Sequence, residues 1–389
     1  MIISKSHKRT PLKTRVVNRI EDIPFNDWHS VYPDIIESYQ FFKTLDRSGL
    51  KQFSFYYMMV YDKGKPVGAT PFFIMNYSLD TSVNGPLRRI TNRIKKAAPN
   101  VFSIKTLICG APLGQGRIGI TGDRTKVLEV MLRKMEQLAK KNKASIIAFK
   151  DFDKLHTDIL DPLQKGGFHK FDSLPNTELS IQFKDFEGYL KTLSGASRYD
   201  FRRKLKKVDK DLNMTLEIAD AVSGRTLEDV HRLYMQVVDK HDMGFEVMPQ
   251  EFFKHISVNL PKNTKFFLWR IEGRLAAFDL CLVADDVLMV YYTGLDYTVA
   301  YRHNLYFLMF KDILNWCIDH KIKKFEMGYK GYEAKRRLGF DFIPLNIYVK
   351  LRNRILRPAF NLICQLLKFE NFDPSLKAAK DKIENRPSR

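Results

Sequence analysis

Val287-Leu-Met-Val-Tyr-Tyr-Thr-Gly-Leu-Asp296 runs into Tyr297-Thr-Val-Ala-Tyr-Arg-His-Asn304, and that into the apolar run Leu305 to His320. The first segment reads as a strand, because β-branched and aromatic side chains crowd a run bounded by polar residues. Leu305 to His320 carries apolar residues at helical spacing. A short strand around Phe325, the turn Met327-Gly-Tyr-Lys-Gly331 and Lys335-Arg-Arg-Leu-Gly-Phe340 complete the stretch. Strand, cationic loop, helix and strand in that order build a concave site with a helix N-terminus on its rim. The N–H groups at a helix start attract negative charge, so this stretch suits an anionic ligand.

Upstream, the same order occurs twice. Phe53 to Tyr61, the turn Asp62-Lys-Gly-Lys65 and Pro66 to Met75 read as a β-hairpin. Phe266 to Arg270, the turn Glu272-Gly-Arg274 and Leu275 to Val283 read as another. In each, a turn glycine (Gly64 or Gly273) separates a strand that ends polar from one that begins with small residues. Each hairpin leads into strand, loop, long helix and strand. In the first half these are Phe102 to Cys109, Gly110 to Gly119, a helix from the N-cap Asp123 to Lys141, and Ala144 to Phe149. The repetition is an internal duplication with a period near half the chain. It predicts an α/β fold of two tandem, similar domains with mixed, largely antiparallel sheets. The boundaries expected are a basic arm over 1–14, domains over 15–180 and 181–351, and a basic amphipathic helix with a polar tail over 352–389.

A length of 389 residues agrees with two domains of ordinary size. The hydrophobic fraction of 44% supports real cores, while a mean hydropathy of -0.30 and the lack of a membrane-spanning apolar run exclude an integral membrane protein. The polar start Met1 to Pro11 lacks the apolar core of a signal peptide, so the expected location is the cytoplasm, with a peripheral place on the inner face of the membrane open to it. Cys109, Cys281, Cys317 and Cys364 have no paired spacing, which argues for buried thiols rather than zinc or disulfides.

The net charge of +21 calls for an anionic partner: nucleic acid, acidic lipid headgroups or a phosphate-rich cofactor. The charge is clustered. From Thr81 to Gly122 there is no acidic residue, while Arg88, Arg89, Arg93, Lys95 and Lys96 flank Leu87, Ile90 and Ile94 at helical spacing. That segment reads as a basic amphipathic helix, either touching a membrane or anionic substrate or solvated with one buried face. Near the C-terminus, Ile355, Leu356, Phe360, Ile363, Leu366 and Leu367 make an apolar face flanked by Arg352, Arg354, Arg357 and Lys368. It suits peripheral binding to an anionic membrane or packing onto the second domain. Gly114-Gln-Gly-Arg-Ile-Gly119 matches a dinucleotide fingerprint in form only: the helix begins too late, and no repeated β-α-β alternation surrounds it. A phosphate-holding loop or a structural turn both remain open there.

Hairpin with turn glycine, strand, loop, amphipathic helix, strand and a final Lys-x-x-x-Gly-Phe together resemble the GNAT acyltransferase superfamily. More narrowly, they resemble the tandem-GNAT proteins that include the Fem-type peptidoglycan aminoacyltransferases and the BioF-like acetyltransferase domain. The residues that carry this are Arg198-Tyr-Asp-Phe-Arg-Arg-Lys-Leu-Lys-Lys207, Gly294-Leu-Asp296, and Lys335 with Gly339-Phe340. The resemblance covers about residues 15–350 and is clearer in the second domain. It implies transfer of an acyl or aminoacyl group to a small-molecule or lipid-linked amine, in cell-envelope or lipid-linked biosynthesis. The donor it implies is acyl-CoA or acetyl-CoA, with aminoacyl-tRNA as the alternative, and no metal is needed. The usual CoA pyrophosphate loop has the form Gln/Arg-x-x-Gly-x-Gly/Ala; here Tyr301-Arg302-His303-Asn304 has no glycine. A third reading is a non-catalytic basic protein that binds membranes or nucleic acid.

Acyl transfer to an amine needs a neutral amine, donors facing the oxyanion and a proton for the leaving group. Asp279, Tyr292, Asp296 and Glu246 are the candidates on the acceptor side. Asp279 stands out because a carboxylate in the apolar strand Ala277-Phe-Asp-Leu-Cys281 is paired, functional or on a solvent-facing side. Tyr291 and Tyr292 face opposite ways on a strand, so only one lines the cleft. His241 is a possible base. Lys335, Arg336 and Arg337 are read as reaching a phosphate or carboxylate, with Lys335 counted among the catalytic group and Tyr332 beside it on the substrate. Arg302, His303, Asn304 and Arg336 are the cofactor-side candidates. Arg198 and Arg202 lie on a basic helix that suits a pyrophosphate, a tRNA acceptor arm or anionic lipid. No Ser/His/Asp or Cys/His arrangement stands out, which argues against a covalent hydrolase.

Overall fold

The computed structural model describes residues 11–78, 103–206, 213–241, 245–329, 331–366 and 376. The basic segment Arg88 to Lys96, Lys207, Leu367 and Lys368 lie outside the described residues. The chain forms two compact units. One holds Met1–Lys43, Lys51–Phe171 and Asn346–Gln365; the other holds Thr44–Leu50, Asp172–Leu345 and Leu366–Arg389.

The first unit contains β1 (Lys13–Val17), α1 (Phe25–His29), the first half of α2 (Tyr39–Arg47), β2 (Ser54–Asp62), β3 (Lys65–Ser78), β4 (Ser103–Cys109) and β5 (Gly119–Ile120). It continues with α3 (Arg124–Lys141), β6 (Ile146–Phe152), α4 (Thr157–Leu160) and β7 (His169–Asp172). From far down the chain it also takes β15 (Asn346–Leu351) and α12 (Arg357–Leu366). Its sheet runs β1-β2-β3-β4-β6-β15-β7, with β5 beside β3. Asp123 caps α3 by accepting from the backbone N–H of Lys126, as the sequence predicts. Val127, Leu128, Met131, Met135 and Ala139 recur on one face of α3 and are buried with Leu107, Cys109, Ile147 and Phe149 of the sheet.

The second unit contains β8 (Asn176–Ser180), α5 (Phe186–Thr192), α6 (Gly195–Lys206), β9 (Met214–Ala219), α7 (Gly224–His241) and α8 (Gln250–Asn259). Then follow β10 (Thr264–Ile271), β11 (Arg274–Ala284), β12 (Val287–Leu295), α9 (Tyr297–Ala300), α10 (Leu305–Asp319), β13 (Lys324–Glu326), α11 (Tyr332–Arg337) and β14 (Asp341–Ile343). Its sheet runs β14-β8-β13-β12-β11-β10-β9. α10 buries Leu305, Met309, Phe310, Ile313, Leu314 and Cys317 with Phe267, Ala277, Cys281 and Phe325.

The duplication is visible in the hydrogen bonding. Both hairpins turn on two residues with positive φ, Lys63 (49°) with Gly64 (84°) and Glu272 (50°) with Gly273 (77°). Such turns twist in the same sense as the strands they join. Each hairpin then slips register at the same place. In β2–β3, Tyr61 pairs with Pro66 and Val60 with Gly68, leaving Val67 as the extra residue. In β10–β11, Arg270 pairs with Leu275 and Trp269 with Ala277, leaving Ala276. Each half also sets two strands parallel across a long helix, β4 with β6 and β12 with β13.

The domain boundaries differ from those expected. β8 lies before residue 180 but pairs with β13 and β14 in the second sheet, and β15 lies after β14 but sits between β6 and β7 in the first. The halves exchange strands, so the divisions fall after Phe171 and Leu345 rather than at 180 and 351. Sheet membership depends on partners far away in sequence, which a local pattern does not carry.

Candidate active site

β12 is paired along its length with β11, but its parallel ladder with β13 spans only Val287–Met289 against Lys324–Glu326. Beyond that point β12 continues to Leu295 while β13 has ended. The β11–β12 ladder slips at the same level: Leu280 pairs with Tyr292 and Cys281 with Val290, so Tyr291 is the extra residue. A bulge bends and twists the strand that carries it. The β12–β13 ladder thus ends at Met289 and Glu326, which leaves an opening in the pairing beyond them.

Two candidates beside this opening lie on opposite faces of the sheet. Asp279 pairs with Thr293, and Leu280 with Tyr292, so successive pairs point opposite ways. Asp279 faces α10. It is 3% exposed and accepts a hydrogen bond from the Thr293 hydroxyl. Burial pushes its carboxyl up to about 7, and the Thr293 hydrogen bond works against that rise. Tyr306, in the first turn of α10, has its phenol raised by burial and then by the charge of Asp279. Tyr292 faces α7 and α8, where its ring meets Tyr234, Phe252 and Phe253 edge-on. Its hydroxyl is buried with no hydrogen-bond partner among the described residues. Burial raises it well above its ordinary value, and the Glu246 charge raises it further. Glu246 and Tyr292 thus come together, while Asp279 stands on the other side. The side chain of His241 lies outside the described residues.

Gly294, next along β12, is held by packing. A Cβ there would lie 2.1 Å from Cε1 of Phe278 and 2.9 Å from Cβ of Leu233.

Lys335 occupies a different position from the one expected. Its ammonium is buried and donates to the carbonyls of Met327 (2.7 Å), Gly328 (3.0 Å) and Tyr329 (3.3 Å). Through these three carbonyls it clamps the turn after β13. Burial pulls the ammonium down to about 7, while three carbonyl acceptors favour its charged form. Arg336 donates to both carboxylate oxygens of Glu333 through Nε (3.0 Å) and Nη2 (2.9 Å), and Arg337 binds the same carboxylate at 2.8 Å. Tyr332 is buried, donates to the Pro175 carbonyl at 3.0 Å and packs against Phe342.

Asp296 is also placed differently. Its carboxylate accepts from the N–H (3.0 Å) and hydroxyl (2.6 Å) of Thr298, capping α9. Between α9 and α10, Arg302 is exposed, His303 is buried and Asn304 takes a left-handed φ of 48°. The Asn304 side chain makes no capping hydrogen bond at the start of α10. On α6, Arg198 is half-buried and Arg202 pairs with Glu187 at 2.5 Å. Lys204 lies 4.0 Å from the centre of the Phe307 ring and ties α6 to α10.

In the first unit, the glycine loop serves packing. A Cβ on Gly116 would lie 2.2 Å from the Lys150 carbonyl oxygen, and one on Gly119 2.3 Å from that of Val31. Cys109, Cys281 and Cys317 are buried free thiols. Among the described residues there is no cluster of metal-ligating side chains, and no helix is long and apolar enough to cross a membrane.

Thr293 and Tyr306 were not foreseen. Counting along the β11–β12 hairpin could have flagged Thr293, but the bulge at Tyr291 moves every pairing beyond it by one residue.

A family model for FemAB-like proteins, described as peptidoglycan biosynthesis/recognition, matches residues 19–360. No curated protein matches the chain. Among solved structures it is similar to FemX (TM-score 0.53, 13% identity, 90% of this chain and 100% of that one). It is also similar to a tandem GNAT protein from the clavulanic acid biosynthesis pathway (TM-score 0.53, 9% identity, 87% and 98%). At such identities the likeness shows the fold alone, and that fold is two GNAT units in tandem. The family match spans most of the sequence: the chain belongs to the FemAB-like family and has the GNAT transferase fold.

Proposed function

We infer that this transferase moves an acyl or aminoacyl group from a phosphate-bearing carrier to an amine in peptidoglycan or lipid-linked biosynthesis, and that its second unit does the chemistry. The observation that carries the reading is the parting of β12 from β13 beside Asp279, a buried carboxyl that titrates near 7. A group with that value both accepts and returns a proton at neutral pH. The donor's acyl carbon would lie in the opening, with its carrier's phosphates toward the start of α10 and Arg302. The amine nitrogen attacks that carbon, the new C–N bond forms and the carbon–sulfur or carbon–oxygen bond to the carrier breaks. The proton leaving the amine passes to Asp279 and goes on to the departing thiolate or alkoxide. Most of the acceleration would come from holding donor and acceptor together.

The carrier is either a coenzyme A thioester or an aminoacyl-tRNA. The family match and the glycine-free loop Tyr301 to Asn304 favour the tRNA. Thermal-shift titration with acetyl-CoA, longer acyl-CoAs and aminoacyl-tRNA, followed by transfer assays on amine-bearing peptidoglycan precursors, separates the two. If no carrier stabilises the protein and no amine is modified, the reading falls.

A further inference from the structure

One end of the first sheet gathers cations around an apolar knuckle. There the starts of β4 and β6 and the end of β15 lie side by side: Ser145 N–H donates to the Lys105 carbonyl (2.8 Å), and Arg352 N–H to that of Ser145 (2.9 Å). Lys105, Lys140, Lys141, Lys143 and Arg354 are exposed at or next to these strand ends. Just past β15, the Asn353 side chain accepts from the N–H groups of Ile355 (3.0 Å) and Leu356 (3.4 Å), and Arg357 donates to the Leu351 carbonyl (2.9 Å). This closed turn presents Ile355 at 88% and Leu356 at 56% exposure; Leu362 on α12 is 58% exposed. Single exposed aliphatics are ordinary, but adjacent ones on a hydrogen-bonded turn ringed by cations are not.

We propose that this end of the first unit docks on an anionic lipid bilayer, with Ile355 and Leu356 entering the headgroup boundary and the surrounding lysines and arginines meeting lipid phosphates. A bilayer supplies an apolar layer under an anionic one, which is the complement of this surface. A second copy of the chain does not suit it, because a two-fold contact would set these cations against their own copies. The net charge of +21 draws the protein to such a surface from a distance. The inference stands apart from the transfer reaction and survives if that reading fails.

The test is co-sedimentation of the full chain with phosphatidylcholine vesicles, with and without phosphatidylglycerol, at low and high salt. The expected result is binding only to the anionic vesicles, weakened by salt. Joint Ile355→Asp and Leu356→Asp substitution is expected to reduce it about tenfold or more, and Arg354→Glu to weaken it to a lesser degree. These side chains are exposed, so melting temperatures should stay unchanged; Ile355→Ser with Leu356→Ser serves if the aspartates lower them. The proposal is overturned if the wild type ignores phosphatidylglycerol, or if the apolar variants bind as well as it does. It is also overturned if the same variants instead break up a dimer, or if binding appears only once residues 367–389 are removed.

Discussion

Thr293 stands directly opposite Asp279 in the antiparallel β11–β12 ladder, and its hydroxyl donates to that buried carboxyl. The hydrogen bond favours the ionised form, while burial favours the protonated one by more. Thr293→Val should therefore move the titration of Asp279 upward. If Asp279 accepts the amine's proton, the pH profile of transfer shifts to higher pH in that variant. An unshifted profile would remove Asp279 from the reaction.

The same carboxyl sets a stability slope. Unfolded, it ionises near its ordinary 3.8; folded, it keeps its proton to about 7. Folding binds a proton throughout that interval, so stability falls as pH rises through it and then levels off. The full effect is on the order of 4 kcal/mol. Urea denaturation at several pH values should show this slope in the wild type and its loss in Asp279→Asn.

Lys335 offers the opposite sign. Its folded ammonium titrates near 7 against an ordinary 10.5, so the unfolded chain binds more protons between those values and stability rises with pH there. Lys335→Met should remove that rise. Lys335→Ala also leaves three carbonyls without their donor, and should lower stability by about 1–3 kcal/mol. Chemical denaturation measures both effects. Unchanged stability in the alanine variant would contradict the clamp.

Asp296→Ala tests a cap against a catalyst. Loss of its hydrogen bonds to Thr298 should lower stability by about 1 kcal/mol and leave the shape of the pH–rate profile unchanged. If transfer vanishes while Asp296→Asn, which can still cap, also fails to restore it, the carboxylate has a chemical role.

The exchanged strands predict unequal fragments. Residues 172–345 contain all seven strands of the second sheet, whereas 11–171 lack β15, which separates β6 from β7 in the first. The longer fragment should melt cooperatively, as followed by circular dichroism. The shorter should do so only when residues 346–366 are joined to it.

The doubled architecture was legible because turn chemistry is local. Gly64 and Gly273 mark hairpins whose φ values demand such residues, and the helix starting after Asp123 announces itself by its cap and apolar spacing. Asp279 was legible for a similar reason, since a carboxylate inside an apolar strand calls for an explanation. Asp296 reads two ways in the sequence, because the same side chain suits proton transfer and helix capping; in the fold it caps α9. Lys335 showed as a cation near a glycine, but its three acceptors belong to a turn that only the folded backbone brings within reach. The exchange of β8 and β15 left no local mark, because a strand's own pattern does not say which distant strand it pairs with.

That exchange has a consequence for biosynthesis. As the nascent chain leaves the ribosome, β6 and β7 emerge early, yet the strand that joins them is not translated until Asn346–Leu351. At about 5–20 residues per second, translating from Asp172 to Leu351 leaves the first sheet open for on the order of ten seconds or more. The second sheet needs nothing beyond Ile343. The half that is made first is finished last.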